Sequence, residues 1–121
     1  MKFMLIDDNV KTLKSMELLL WIRGFSCSTF SDPFKAVQSY SKSEFDAVLT
    51  DYSMPGINGI EVMKRINEIN QDAKVLLISG CLEKIQSSED DGIKPYALFS
   101  KPLDSNRLLK LISSLDQEIK T

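Results

Sequence analysis

The sequence contains no histidine at all. That absence excludes Ser-His-Asp and Cys-His catalysis, His-ligated zinc and imidazole acid–base chemistry. Cysteine is nearly as scarce. Cys27 and Cys81 lie too far apart for a CxxC pair and are too few for a disulfide-dense secreted scaffold. Both are therefore expected as reduced, mostly buried small hydrophobes. Long apolar runs are missing too: the longest, Leu18 to Ile22, has five residues, against the roughly 20 that a membrane span needs. No basic stretch precedes an apolar one at the amino end, so no secretory signal is expected and the chain is read as cytoplasmic, without a membrane partner. An excess of positive charge is also lacking, with 15 Lys and Arg against 17 Asp and Glu. The basic residues are scattered, which argues against direct nucleic-acid binding. Any chemistry must come from carboxylates, hydroxyls, lysine, backbone groups or a hard metal ion.

What is present is an ordinary globular composition, 43% apolar and 26% charged over 121 residues, sufficient for one domain spanning residues 1–121. Five short apolar runs alternate with helical patterns: Lys2–Ile6, Ser26–Phe30, Ala47–Thr50, Val75–Ser79 and Tyr96–Ser100. The first, third, fourth and fifth are nearly continuous hydrophobes, as expected of strands covered on both faces. The second mixes Ser, Cys and Thr, like a less buried edge strand. Between them, Asn9 or Asp8 caps a helix from Val10 to about Arg23, stopped by Gly24, with Leu13, Met16 and Leu20 as its core stripe. Asp32-Pro33 opens a second helix ending near Ser41. Asn58 caps a third, carrying Val62, Met63, Ile66 and Ile69. A fourth falls on Leu82–Asp91, poor in apolar residues after Leu82 and Ile85. Asp104 or Ser105 caps the last, with Leu108, Leu111, Ile112 and Leu115 at helical spacing. Five β-α units with connections too long for hairpins predict an α/β, doubly wound parallel sheet with helices on both faces.

Polar residues stand at the carboxyl ends of the strands: Asp7 and Asp8 after the first, Asp51 after the third, Ser79 at the fourth and Lys101 after the fifth. Open α/β sheets bind ligands at that edge, where the strand order reverses. If the order is 2-1-3-4-5, the three aspartates share one pocket. Carboxylates so crowded must protonate or bind a cation, and an all-oxygen set suits Mg²⁺. Lys101 and Ser79 would then supply a positive charge and a hydroxyl on the far side, an anion site facing a metal site. Singly, Asp8 reads equally well as a helix cap, and Ser79 or Lys101 as a loop residue. The five together do not.

At these residues the sequence resembles the receiver domain of bacterial two-component response regulators, the chemotaxis-receiver-like class. The matching pieces are Leu5-Ile6-Asp7-Asp8-Asn9, Val48-Leu49-Thr50-Asp51, Met54-Pro55-Gly56 with Gly59, Leu77-Ile78-Ser79-Gly80 and Lys101-Pro102, in family order across essentially the whole chain. The resemblance implies a flavodoxin-like, five-stranded sheet of order 2-1-3-4-5. It implies that Asp51 is the phosphoacceptor, taking a phosphoryl group from a histidine kinase or histidine phosphotransfer protein. Asp8, Asp51 and the backbone carbonyl of Ser53 would ligate Mg²⁺, with Asp7 acting mainly through water on the metal. Ser79 would hydrogen-bond the phosphoryl oxygen, Lys101 would pair with it, and Pro102 would follow a cis peptide. The chain would catalyse only its own phosphorylation and dephosphorylation, switching binding of a downstream effector whose identity the sequence leaves open.

The family often carries an aromatic three residues before the lysine. Here Leu98 stands there, with Phe99 on the opposite face of the strand. Two rival functions carry different signatures. An aspartyl-nucleophile phosphatase resembles D-x-D-x-T after the first strand, and Asp7-Asp8-Asn9-Val10-Lys11 lacks its second aspartate. A degenerate receiver, acting as a phosphorylation-independent interaction module, would not keep a complete acid pocket. Finally, helical geometry puts Leu18 and Ile22 opposite the core stripe of the first helix, alongside Lys11 and Lys14, with Trp21 between the faces. That outer face either carries a few isolated surface hydrophobes, with Trp21 folded onto a neighbouring element, or meets an apolar helix of the phosphodonor.

Overall fold

The near-continuous apolar runs become the interior of a parallel sheet. The computed structural model describes residues 1–80 and 94–120, with elements β1 (Lys2–Ile6), α1 (Val10–Ile22), β2 (Ser26–Phe30), α2 (Pro33–Ser39), β3 (Ala47–Asp51), α3 (Gly59–Ile69), β4 (Val75–Ser79), β5 (Ala97–Ser100) and α4 (Ser105–Lys120). The five strands pair in parallel in the order β2-β1-β3-β4-β5, the doubly wound, flavodoxin-like arrangement. The segment expected as a helix at Leu82–Asp91, and Cys81, lie outside the described residues.

Alternation along each strand sorts its side chains into two cores. Phe3, Leu5, Leu49, Leu76 and Phe99 pack with Leu13, Met16 and Leu20 of α1 and Leu108, Ile112 and Leu115 of α4. Met4, Ile6, Val48 and Leu77 pack with Ala36 of α2 and Val62, Met63 and Ile66 of α3. Leu98 and Phe99 accordingly face opposite layers. Arg107 of α4 lies over the Phe99 ring, 4.4 Å from its centroid, and donates to the Leu98 carbonyl at 3.0 Å.

The helix ends follow from their capping chemistry. Asn9 accepts from the Lys11 and Thr12 amides, and Asp32 accepts from Phe34 with Pro33 in the first turn. Asn58 accepts from Glu61, and Asp104 from Asn106 and Arg107. Gly24, at φ +85°, ends α1, with the Phe25 and Gly24 amides closing back onto the Leu20 and Trp21 carbonyls.

Four expectations are corrected. α2 ends at Ser39, two residues before Ser41, because Tyr40 turns extended and buries its ring. In β5 only Phe99 is fully buried, since a strand at the sheet's edge has a neighbour on one side only. Ile69 is exposed although it continues the α3 stripe, and Ile60 is buried on the first turn instead. Cys27, a free thiol on edge strand β2, is half-buried and not sealed in the core. Burial, and then the nearby Glu17 charge, push its thiol pKa up.

No helix among the described residues is long and apolar enough to cross a membrane. On α1, Leu18 and Ile22 are 56% and 64% exposed, on the outer face where helical geometry places them, and Trp21, expected between the faces, is exposed further at 71%.

Candidate functional site

A parallel sheet brings every strand's carboxyl end to one edge, and the order β1-β3-β4 sets three of the polar ends side by side. Asp7 follows the last residue of β1 and is buried, held by its amide to the Phe30 carbonyl at 3.1 Å. Asp51 closes β3 and is equally buried. Asp8 is exposed at the rim. Carboxylate oxygens of the three lie within 4.8 Å of one another. Ser79, buried, ends β4, and its carbonyl accepts from the Lys101 amide at 2.9 Å. Lys101 reaches back to place Nζ 3.0 Å from Asp51 Oδ1. The Lys101–Pro102 peptide is cis. Ser53 sits exposed on the loop just past Asp51. Every candidate residue named from the sequence thus stands at this one edge.

The electrostatics of the pocket are unbalanced. Two carboxylates about 5 Å apart repel by about 3 kcal/mol at an effective dielectric near 20. Three carboxylates against one ammonium leave the pocket two charges negative. Asp51 Oδ1 is buried yet accepts no hydrogen bond; Lys101 approaches it as an ion pair, without hydrogen-bond angles. Burial raises the Asp7 carboxyl pKa above its usual range, and the Asp51 and Asp8 charges add to that rise. The Asn9 amide, 2.9 Å from Asp7 Oδ1, and the Lys101 charge oppose it. An all-oxygen donor set with a net charge of minus two and an unsatisfied buried oxygen fits a small hard dication.

The loop after Asp51 is closed at its base and packed at its tip. The Gly59 amide donates to the Tyr52 carbonyl at 2.7 Å. A Cβ on Gly59 would stand 2.6 Å from the Asp51 carbonyl oxygen, 2.7 Å from Leu77 Cδ2 and 3.0 Å from Tyr52 Cα. At the tip, Gly56 takes φ +93° beneath the Phe34 ring. Beside the carboxylates, a groove of about 530 Å³ runs between α1 and the start of α4, lined by Asp7, Thr12, Met16, Leu19, Lys101 and Leu103.

Three contributions were not read from the sequence. Asn9 was read as a helix cap, but its amide also holds Asp7. Gly59 belongs to a motif that by itself names no contact. Phe34 was not singled out; the available signal was its place in the first turn of α2, which begins at the same sheet edge as the aspartates.

The chain belongs to the response regulator receiver domain family, whose model matches residues 3–113. Among curated proteins it is 30% identical over 110 residues to the phosphoglycerate transport system transcriptional regulatory protein PgtA of Salmonella typhimurium, covering 90% of this chain and 26% of that protein. It is 27% identical to sporulation initiation phosphotransferase F of Bacillus subtilis, covering 88% of this chain and 86% of that one. The chain spans from about a quarter to about half of the length of most of the curated relatives it matches. Among solved structures, a response regulator receiver domain protein from Clostridium thermocellum superposes with a TM-score of 0.87 at 24% identity, covering 98% and 96% of the two chains. The response regulator TrrA from Thermotoga maritima, solved in complex with Mg²⁺-BeF, gives 0.83 at 22% identity, covering 94% and 97%.

Proposed function

We propose that this chain is a Mg²⁺-dependent phosphoryl acceptor whose nucleophile is Asp51, loaded by a histidine kinase or histidine phosphotransfer protein and read by a downstream effector. The observation that carries the reading is Asp51 Oδ1: a buried carboxylate oxygen without a hydrogen bond, ion-paired to Lys101 inside a net-negative oxygen pocket. Asp8, Asp51 and the Ser53 carbonyl would hold Mg²⁺, with Asp7 in support. When bound, the ion supplies positive charge against the phosphoryl oxygens. The rest is the work of the chain. An Asp51 oxygen attacks phosphorus in line, the P–N bond of the donor breaks, and its electron pair returns to the donor imidazole. Lys101, released from Asp51 Oδ1, pairs with a phosphoryl oxygen, and the Ser79 hydroxyl donates to another. The product is an acyl phosphate on the chain itself, so the activity is self-modification and not turnover of an outside substrate. The Mg²⁺-BeF complex of the Thermotoga maritima relative supports the choice of ion.

The direct test is intact-mass spectrometry after incubation with acetyl phosphate, with Mg²⁺ or with a chelator. One phosphoryl adduct is expected with Mg²⁺ and none without. Turnover of p-nitrophenyl phosphate would assign a phosphatase instead, and failure to bind Mg²⁺ would assign an interaction module.

Mg²⁺ will also stabilise the fold by relieving repulsion among Asp7, Asp8 and Asp51. At about 100 times the dissociation constant, linkage gives roughly 2.7 kcal/mol. Asp8→Ala is expected to lose most of that gain in a thermal melt. An unchanged Mg²⁺-dependent shift in the variant counts against direct ligation by Asp8.

Docking of the phosphodonor is assigned to the outer face of α1, which begins at the acid pocket and carries Leu18, Trp21 and Ile22 beside Lys11 and Lys14. The matching surface is a helix with an apolar face and carboxylates toward one end. Leu18→Lys with Ile22→Lys is expected to slow phosphotransfer from the kinase while leaving acetyl phosphate labelling unchanged, because neither residue fills the core. Equal kinase rates in the double variant and the wild type defeat the docking assignment.

A further inference from the structure

Phe34 is 42% exposed, and a lone exposed aromatic ordinarily needs no explanation. Its ring, however, is seated. A Cβ on Gly56 would lie 2.7 Å from Phe34 Cε2 and 3.4 Å from Cζ, so the ring edge rests directly on the Gly56 backbone. Gly56 itself is at φ +93°, a conformation that side-chain-bearing residues rarely adopt. The Arg65 guanidinium of α3 lies 5.4 Å from the ring centroid and is paired with Glu61 at 3.3 Å. The root of the side chain is fixed as well, because the Phe34 amide donates to the capping Asp32 at 2.9 Å and Pro33 beside it is buried. One ring therefore ties the start of α2, the tip of the loop after β3 and the middle of α3 together.

That loop has little else to hold its tip. Its base is closed by the Gly59–Tyr52 hydrogen bond, and Met54 and Ile57 pack partly against the core. Residues 53–57 make no hydrogen bond among the described residues. A segment without hydrogen bonds is positioned by packing alone, and the three heavy atoms nearest to where a Gly56 Cβ would stand all belong to Phe34.

We propose that Phe34 is a positioning residue for the metal site: by seating the Gly56 backbone on a ring that Arg65 of α3 covers, it holds the Ser53 carbonyl where a Mg²⁺ ion shared with Asp8 and Asp51 can use it. The inference rests on the reading of Ser53 as a Mg²⁺ ligand given above. Groups that hold a ligand in place without touching the metal commonly change affinity about tenfold when removed. Phe34 touches neither metal nor phosphoryl group, so its effect is on Mg²⁺ affinity through loop placement.

The test is isothermal titration of the full chain with MgCl₂ alone, for the wild type, Phe34→Ala, Phe34→Tyr and Ile112→Val. Phe34→Ala is expected to weaken Mg²⁺ binding about tenfold, and Phe34→Tyr, which keeps the ring, to bind within about twofold of wild type. Ile112, on the inner face of α4, is fully buried in the other core layer, so Ile112→Val lowers stability without touching the loop and should keep wild-type affinity. The proposal is overturned if Phe34→Ala binds Mg²⁺ as the wild type does, if Phe34→Tyr fails to restore affinity, or if Ile112→Val loses as much as Phe34→Ala. If the wild type itself takes up no Mg²⁺, the metal reading of the site falls, and this inference falls with it.

Discussion

Asp51→Asn will take up no phosphoryl group from acetyl phosphate or from a phosphorylated kinase, and it will still fold. Of the three clustered aspartates, Asp51 alone is both buried and ion-paired to Lys101. Replacing its carboxylate with an isosteric amide removes the attacking anion, because a neutral amide oxygen is a far weaker nucleophile. Two opposing effects decide the stability of the variant. Losing the Lys101 pair strands no buried charge, since the amide is neutral and Lys101, 46% exposed, can turn to water. Losing one of three crowded negative charges relieves repulsion with Asp7 and Asp8. The balance is a melting temperature near or above that of the wild type. Intact-mass and peptide mass spectrometry check the labelling. A phosphoryl adduct on the variant, formed at the wild-type rate, would reassign the nucleophile to another residue.

Gly59→Ala will cost about 3 kcal/mol, the upper end of what added methyl groups cost in packed interiors. In an exposed helix the same change helps by about 1 kcal/mol, because alanine is the better helix former. Here the new methyl would meet the Asp51 carbonyl oxygen at 2.6 Å and Tyr52 Cα at 3.0 Å. Both are backbone atoms of the segment that bears Asp51, and they cannot rotate away as a side chain does. Either α3 lifts off the sheet or the end of β3 bends. For a chain of this length the loss corresponds to a fall of about 10 °C in melting temperature, and Mg²⁺ binding should weaken in parallel because the displaced backbone carries Asp51. A melt within about 2 °C of wild type would mean that α3 can shift without cost, contrary to the packing range for such insertions.

Much of this architecture is local and was legible residue by residue. The runs at β1, β3 and β4 are apolar on both faces, and only a strand covered on both sides needs that pattern. Asn9, Asp32 and Asn58 announce helix starts through chemistry that acts over two or three residues. The aspartates, Ser79 and Lys101 were readable because strand ends in a parallel sheet share one edge. What escaped was set by contacts between distant segments. Periodicity put Ile69 on the buried stripe but could not say where cover runs out. The expected order put β5 at a sheet edge, yet its apolar run read as a strand covered on both faces, and only Phe99 is fully buried. The seating of Phe34 on Gly56 joins residues 22 positions apart through a turn whose path no local pattern encodes.

Trp21, most exposed among the large hydrophobics named on α1, is also the chain's one tryptophan. Its emission therefore has a single source, 71% exposed on the outside of a helix, in a hollow beside Phe25 and Cys27 at the margin of one core. None of the three clustered aspartates lines that hollow. Its fluorescence, excited at the red edge of the band where the three tyrosines absorb little, is thus a gauge of the outer face of α1: a blue shift marks the moment another surface covers it.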